Sequence, residues 1–216
     1  GMIYMINKIF IGSSFFLLCS CTTFGTAFTY TDAAKFIQGY VGGFPEDTIS
    51  SEQLDNFEVS FANIKIGRGP SSLVVLAYTS NGSHEWVSND GVQVFTNKGH
   101  LYKTMGLASD VTYEPVNYLD SNLLNTSFMT SATFYKPDLF LISVENFITK
   151  SDTKILLNRP KDDIEATVYI HEFYVPSIKW RGENRYFVNS AGLIMRSEQY
   201  VHPNLSKFKI DFFYKF

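Results

Sequence analysis

Cysteine is nearly missing: the 216-residue chain holds two. Two thiols cannot build a disulfide framework or a four-cysteine zinc site. Charge is scarce as well, at 18% of residues, and shows no basic surplus. The 18 Lys and Arg stand against 21 Asp and Glu, a net charge of −3. A duplex-binding protein draws much of its affinity from cations that neutralise phosphates, so no nucleic-acid partner is expected. No apolar run reaches the ~20 residues that a spanning helix needs. Helices and strands do not alternate in the βαβ manner, which argues against a parallel doubly wound sheet.

Catalytic signatures are equally thin. The four histidines are His84, His100, His171 and His202. None forms the i, i+4 pair of a helical zinc site, and neither His84-Glu85 nor His171-Glu172 has the second His. No metal or other cofactor is expected. The Gly-x-Ser-x-Gly elbow of serine hydrolases is absent. Gly67-Arg68-Gly69-Pro70 lacks the Lys and following helix of a phosphate-cradling loop. Glycosidase chemistry needs only two carboxylates at a suitable distance, and Asp90, Glu114, Asp120, Glu172, Glu183 and Glu198 lie in or beside strand-like segments. Nothing in the sequence singles out a pair, so the expected protein is not an enzyme.

Apolar and aromatic residues, by contrast, are plentiful: 45% of the chain is hydrophobic, with 20 Phe and 13 Tyr. That rules out wholesale disorder and favours strands. Strand-like segments begin near Phe57, where Phe57, Val59 and Phe61 alternate and Ile64 and Ile66 resume after a phase shift. Ser71–Tyr78 reads as a strand buried on both faces. Short strands follow at Glu85–Ser88, Val92–Thr96 and His100–Thr104, joined by Asn89-Asp90-Gly91 and Asn97-Lys98-Gly99, residues that tolerate positive φ. Further strands are read at Phe128–Tyr135, Leu139–Asn146, Ala166–Tyr174, Lys179-Trp180, Tyr186–Val188, Leu193–Gln199 and Phe208–Tyr214. The charged stretch Asp152–Asp163 reads as a surface loop. Thr31-Asp32 caps one short N-terminal helix that Gly42-Gly43 ends. The expected fold class is mainly β, with antiparallel sheets forming a sandwich or barrel-like body.

The N-terminus carries an address. Gly1 reads as a purification remnant ahead of Met2. Lys8 precedes the apolar run Ile9–Leu18, which has the proportions of a secretory signal rather than a spanning helix. Leu18-Cys19-Ser20-Cys21 resembles a bacterial lipobox, with Leu18 at −3 and Ser20 at −1 from Cys21. Cys21 is therefore the expected lipidation site, and Cys19, behind bulky Leu18, is not. Thr22 follows where inner-membrane lipoproteins carry Asp, which points by analogy to the outer membrane. The expected organisation is a signal over residues 1–20, a lipidated tether over 21–30 and one mainly-β domain over 31–216.

One internal echo stands out. Phe95–Thr104 can be laid on Val188–Ser197, with a turn, a glycine (Gly99 and Gly192), an apolar strand, a base and a hydroxyl in the same order. A duplication giving two similar halves, 57–150 and 166–216, explains it, as do two unrelated hairpins with common turn chemistry. Lys103 and Arg196 occupy equivalent places and suit anionic sugars. An even offset along a strand puts each base on its own glycine's face, with Tyr102 and Met195 towards the core. Trp86, Tyr102, Trp180 and Tyr186 are of the type that stacks on sugar rings; filling a β core is the other use for such aromatics.

Several blocks carry a family likeness: Gly69–Leu76, Trp86–Gly91, Thr96–Leu107, and Asn184–Phe187 through Arg196–Gln199 to Pro203. In this order, and with the lipobox, the chain resembles the YjbF/GfcB family, lipoproteins of group 4 capsule and related exopolysaccharide operons. The resemblance implies an outer-membrane lipoprotein on the periplasmic face, a non-catalytic accessory in polysaccharide assembly or export. Its implied partners are exopolysaccharide and other export-operon proteins. The chain departs from the family at His100, where Arg is commoner, and at Phe187 and Met195, where tryptophans often stand. A polysaccharide-modifying enzyme with paired carboxylates and a structural adaptor for envelope proteins remain as alternatives.

Overall fold

The computed structural model describes residues 49–215. The signal, Cys21, the tether and the helix expected from Thr31 lie outside them. A short helix, α1 (Ser51–Asn56), opens the described chain; Ser50 caps it, and Gln53 returns a bond to the Ser50 backbone. Twelve strands follow. They are β1 (Phe61–Ile66), β2 (Ser71–Ser80), β3 (Ser83–Ser88), β4 (Gln93–Asn97), β5 (His100–Met105) and β6 (Val111–Tyr113). Then come β7 (Ser127–Phe134), β8 (Leu139–Leu157), β9 (Ile164–Val175), β10 (Trp180–Val188), β11 (Ile194–Gln199) and β12 (Phe208–Phe213).

Each strand pairs antiparallel with the next, and β12 pairs with β1, so the meander closes into a barrel. The thinnest seam is β5–β6, whose register holds the single pair Lys103–Thr112. The tight turns follow from residue chemistry. Asn81-Gly82 and Lys98-Gly99 have positive φ at both positions, the geometry that matches the twist of two-residue hairpins. Ala62, Ile64, Val94, Val111, Ile148, Phe208, Ile210 and Phe212 fill the interior from strands all around the ring. On the outside, Phe57 packs on Phe61 at 4.2 Å, and Phe61 stacks on Phe213 at 4.7 Å.

Three strand readings need correction. Phe57 and Val59 precede β1, since Phe57 belongs to the outer aromatic stack. β2 is not buried on both faces: Val74 is buried, whereas Leu73 and Tyr78 are exposed, because one face of a closed sheet meets solvent. The charged stretch from Asp152 is not all loop. β8 continues to Leu157, pairing Lys154 with Thr167 and Leu157 with Ile164, and its charges sit on the solvent face.

The two echoed hairpins share a local register irregularity. Phe95 pairs with Lys103 and Thr96 with Leu101, so Tyr102 is an extra residue opposite Phe95. In the same way Phe187 pairs with Arg196 and Val188 with Ile194, leaving Met195 as the extra residue. Thr104 and Ser197 follow, both buried. The two hairpins share one bulge and differ in the turn: two residues in one, and 189–193 in the other. The bulge also corrects the expected facing of Met195. Tyr102 packs partly buried against the main core as well as 6.3 Å from Phe95, whereas Met195 lies in a small separate cluster with Phe187.

A third bulge interrupts β7–β8. Ala132 pairs with Ile142 and Phe134 with Leu139, so Thr133 alone opposes both Phe140 and Leu141. Leu141 takes φ +48, a conformation costing a non-glycine residue ~1 kcal/mol or more, and its N–H donates to the Thr133 hydroxyl at 3.2 Å.

Candidate functional site

Antiparallel register sets two charged rows on the outer face of β1, β12 and β11. Asn63 stands opposite Asp211, and Asp211 opposite Arg196. Two residues along, Lys65 stands opposite Lys209, a like-charge pair across the strands. The Asn158–Pro160 turn folds over these rows and encloses a cavity of about 310 Å³. Its lining carries four cations, Lys65, Arg159, Arg196 and Lys209, against one carboxylate, Asp211.

Arg159 forms the floor. Its side chain is 6% exposed, and its guanidinium lies 4.1 Å over the Phe213 ring. Nη1 donates to Asp211 Oδ1 at 3.2 Å and to the Met195 carbonyl at 3.3 Å, while Nη2 donates to the Phe212 carbonyl. Burial pulls its pKa down, and the Asp211 charge pulls it back up. Arg196 Nε donates to the same Asp211 oxygen at 2.7 Å, and its side chain is 21% exposed. One carboxylate thus positions two guanidiniums, and the cavity keeps a surplus of positive charge suited to an anionic group.

The other residues singled out by the sequence scatter. Lys103 is not in this cavity; its ammonium lies 5.0 Å over the Phe95 ring. Trp86 is sealed in the interior, its Nε1 donating to Thr96 Oγ1 at 2.9 Å. Tyr186 is enclosed too, its hydroxyl 2.7 Å from His100 Nδ1. Neither offers a face to a polymer, because the parity of their strands turns them inward. Trp180 is half-buried, with Phe173 at 4.7 Å and Phe134 at 5.7 Å. Sequence reasoning missed Arg159 and Asp211, which lie 52 residues apart and meet because the turn after β8 folds over β11 and β12.

A larger groove of about 880 Å³ runs over β7 to β10. Register builds it in two rows: Met129, Glu145, Tyr174, Arg181, and Ser127, Phe147, Glu172, Glu183. Of the six acids considered, Glu172 and Glu183 come face to face here on adjacent strands. Glu183 also accepts from Arg185 Nε at 2.7 Å. Asp90 and Ser88 share a turn bond that holds the Asp90 carboxyl below its usual range, and Asp120 caps the 121–123 turn. Glu114 meets the Ser131 N–H at 3.4 Å, and Glu198 stands opposite Lys209.

The interior holds a polar network of a different character. His171 Nε2 meets Asn146 Oδ1 at 2.8 Å, and Asn184 Nδ2 lies 3.3 Å from His171 Nδ1. Tyr118 stacks on His171 at 4.4 Å and meets His100 edge-on at 4.0 Å. Burial drives both histidines down, His171 to about 3 and His100 well below its usual value, so both are neutral at pH 7. Among the described residues no group of three His, Cys, Asp or Glu is arranged to hold a metal ion.

Charged rows on the outside and a packed interior define the class: a closed antiparallel barrel whose outer face meets water, unlike the apolar band of a membrane-spanning barrel. Among the described residues no helix is long and apolar enough to cross a membrane. The model of the family described as "Group 4 capsule polysaccharide lipoprotein gfcB, YjbF" matches residues 30–213, and the chain belongs to that family. It is 24% identical over 169 residues to the uncharacterized lipoprotein YjbF of Escherichia coli (strain K12), covering 74% of this chain and 77% of that one. The crystal structure of the hypothetical lipoprotein YmcC from E. coli (K12) shares the fold. It superposes with a TM-score of 0.66 at 15% identity, over 89% of this chain and 99% of that one. The protein is thus a lipoprotein of the group 4 capsule family.

Proposed function

We propose that this lipoprotein is anchored to the outer membrane through Cys21, faces the periplasm, and acts as a non-catalytic accessory in assembly or export of a capsule-type polysaccharide. The observation that carries the reading is the cavity around Arg196, with four cations and one carboxylate. An anionic sugar residue, or a partner's carboxylate, placed there gains charge-assisted hydrogen bonds in a partly desolvated setting. Arg196 is the contact group; Arg159 and Asp211 hold it in place. The test is Arg196→Ala against Lys103→Ala in cells exporting the polymer. Export falls with the first and is kept with the second. Equal export from both variants sinks the reading.

The facing pair Glu172 and Glu183 in the larger groove favours a second reading, a polysaccharide-modifying enzyme. Glu172→Gln and Glu183→Gln decide it: if polymer length or composition changes while protein level does not, the groove is catalytic.

A further inference from the structure

The strongest feature outside these clefts is the tip of the β7–β8 hairpin. A regular strand shows solvent every second side chain. The bulge opposite Thr133 breaks that rule and turns two consecutive residues outward, Phe140 at 65% exposure and Leu141 at 78%. Tyr135, 42% exposed, meets Phe140 edge-on at 6.3 Å and extends the patch across the turn. The backbone beneath is tied down from three directions. The Tyr135 carbonyl lies 3.1 Å from His202 Nε2, Asn204 Nδ2 donates to the Lys136 carbonyl at 2.9 Å, and Tyr135 N–H donates to the Asp110 carbonyl at 3.0 Å. A held tip that shows three large apolar side chains, with these backbone groups already bonded, suits entry into a lipid interface.

We propose that this tip seats in the headgroup region of the membrane that carries the lipid anchor, setting which end of the barrel faces the bilayer. The proposal rests on the lipid-anchored reading above. Cys21 precedes Ile49 by 28 residues, a reach of roughly 70 Å with the helix expected from Thr31 to Gly43 formed. That exceeds the roughly 60 Å span of the 19-residue β8, so the tether lets either end of the barrel approach the surface. Apolar contact rather than charge drives the seating. Connections alternate between the two ends in a meander, and the turns at this end carry Arg68, Lys136, Lys179 and Lys207 against Asp90, Asp110 and Asp138. The near balance predicts seating on zwitterionic lipid as well as on anionic lipid.

The test places an environment-sensitive fluorophore on the acylated full-length protein at Phe140→Cys, with Tyr78→Cys at the opposite end as the control. Acylated Cys21 leaves the mature chain without a competing thiol. Proteins are bound to phosphatidylcholine vesicles, with and without phosphatidylglycerol, and checked by flotation. The expected result is a blue shift at position 140 and quenching by headgroup-level lipid quenchers in both vesicle types, with no change at position 78. Flotation without change at 140 overturns the proposal. A shift at 140 that grows with protein concentration in the absence of vesicles overturns it in favour of a second copy. Failure of the protein to float removes the anchor reading itself, and the proposal with it.

Discussion

Gly99 rests against Ile194: a Cβ on Gly99 would stand 2.6 Å from the Ile194 Cβ. The two echoed hairpins therefore meet at a contact that only glycine permits. Gln199 completes the junction, accepting from Leu101 N–H at 3.0 Å and donating to the Gly99 carbonyl at 3.3 Å. Gly192, at the matching place in the other hairpin, also has positive φ but open space around it.

The two glycines therefore separate strain from crowding. Gly192→Ala costs about 1–2 kcal/mol for its backbone conformation alone. Gly99→Ala adds overpacking of ~1–3 kcal/mol against a fully packed core. At roughly 2–4 °C per kcal/mol, thermal melts should show the Gly99 variant losing clearly more than the Gly192 variant. Equal losses would mean that Ile194 moves aside freely.

Acid should weaken the barrel from its centre. His100 and His171 are held neutral when folded, with pKa values lowered chiefly by burial, while the unfolded chain protonates both near pH 6.5. The unfolded state then binds more protons, so stability is full above that value and falls as pH drops, down to about 3 for His171. Between pH 7.5 and 5.5 the loss is about 1.4 kcal/mol per histidine, ~2.7 kcal/mol for the pair. Urea unfolding at the two pH values reads it directly. His84 and His202, also lowered by burial, add to the measured difference, so His171→Gln should remove about 1.4 kcal/mol of it rather than all; an unchanged difference would assign the protons elsewhere.

Asp211 and Arg196 should behave differently although they touch. Asp211→Asn strips buried Arg159 of the one carboxylate that pairs with it among the described residues, at a cost of ~3 kcal/mol. Arg196→Ala leaves Asp211 still paired with Arg159 and removes a partly exposed ion pair, about 1 kcal/mol at most. Chemical denaturation of the two variants, with Arg159→Met/Asp211→Asn as the double variant, checks this. The double should recover part of the Asp211→Asn loss.

Cys21→Ser should leave the membrane fraction and lose its lipid label, whereas Cys19→Ser should keep both. Fractionation with metabolic acyl labelling distinguishes them. Retention of label on Cys21→Ser would move the anchor elsewhere.

Much of the ring was legible because alternation and turn chemistry are local. Asn97-Lys98-Gly99 announces its hairpin, and Phe208 to Phe213 announces a strand by itself. β6, three residues long, is too short to leave a pattern. β8 ran past its reading because charged residues on a solvent face look like loop. The site was half visible. Arg196 could be named from the echo, but its cavity is made by Arg159 and Asp211, and the register joining β11 to β12 is a long-range fact. Trp86 and Tyr186 fill the core, the second of the two uses left open, for a related reason: period two shows that a strand has two faces, and only its neighbours decide which is inside.

Ring closure also limits how anything can join this protein. Backbone N–H and C=O groups along a sheet are a partner's simplest handhold, and β-augmentation needs a strand that lacks a neighbour. Among the described residues every strand has two, which leaves side chains as the handhold for a peptide or a second copy. The one place where main chain is thinly engaged is between β5 and β6, where Lys103 and Thr112 alone are in register. Parting that single pair, with no guest strand between, would turn the ring into an open ribbon with β5 and β6 as its two edges.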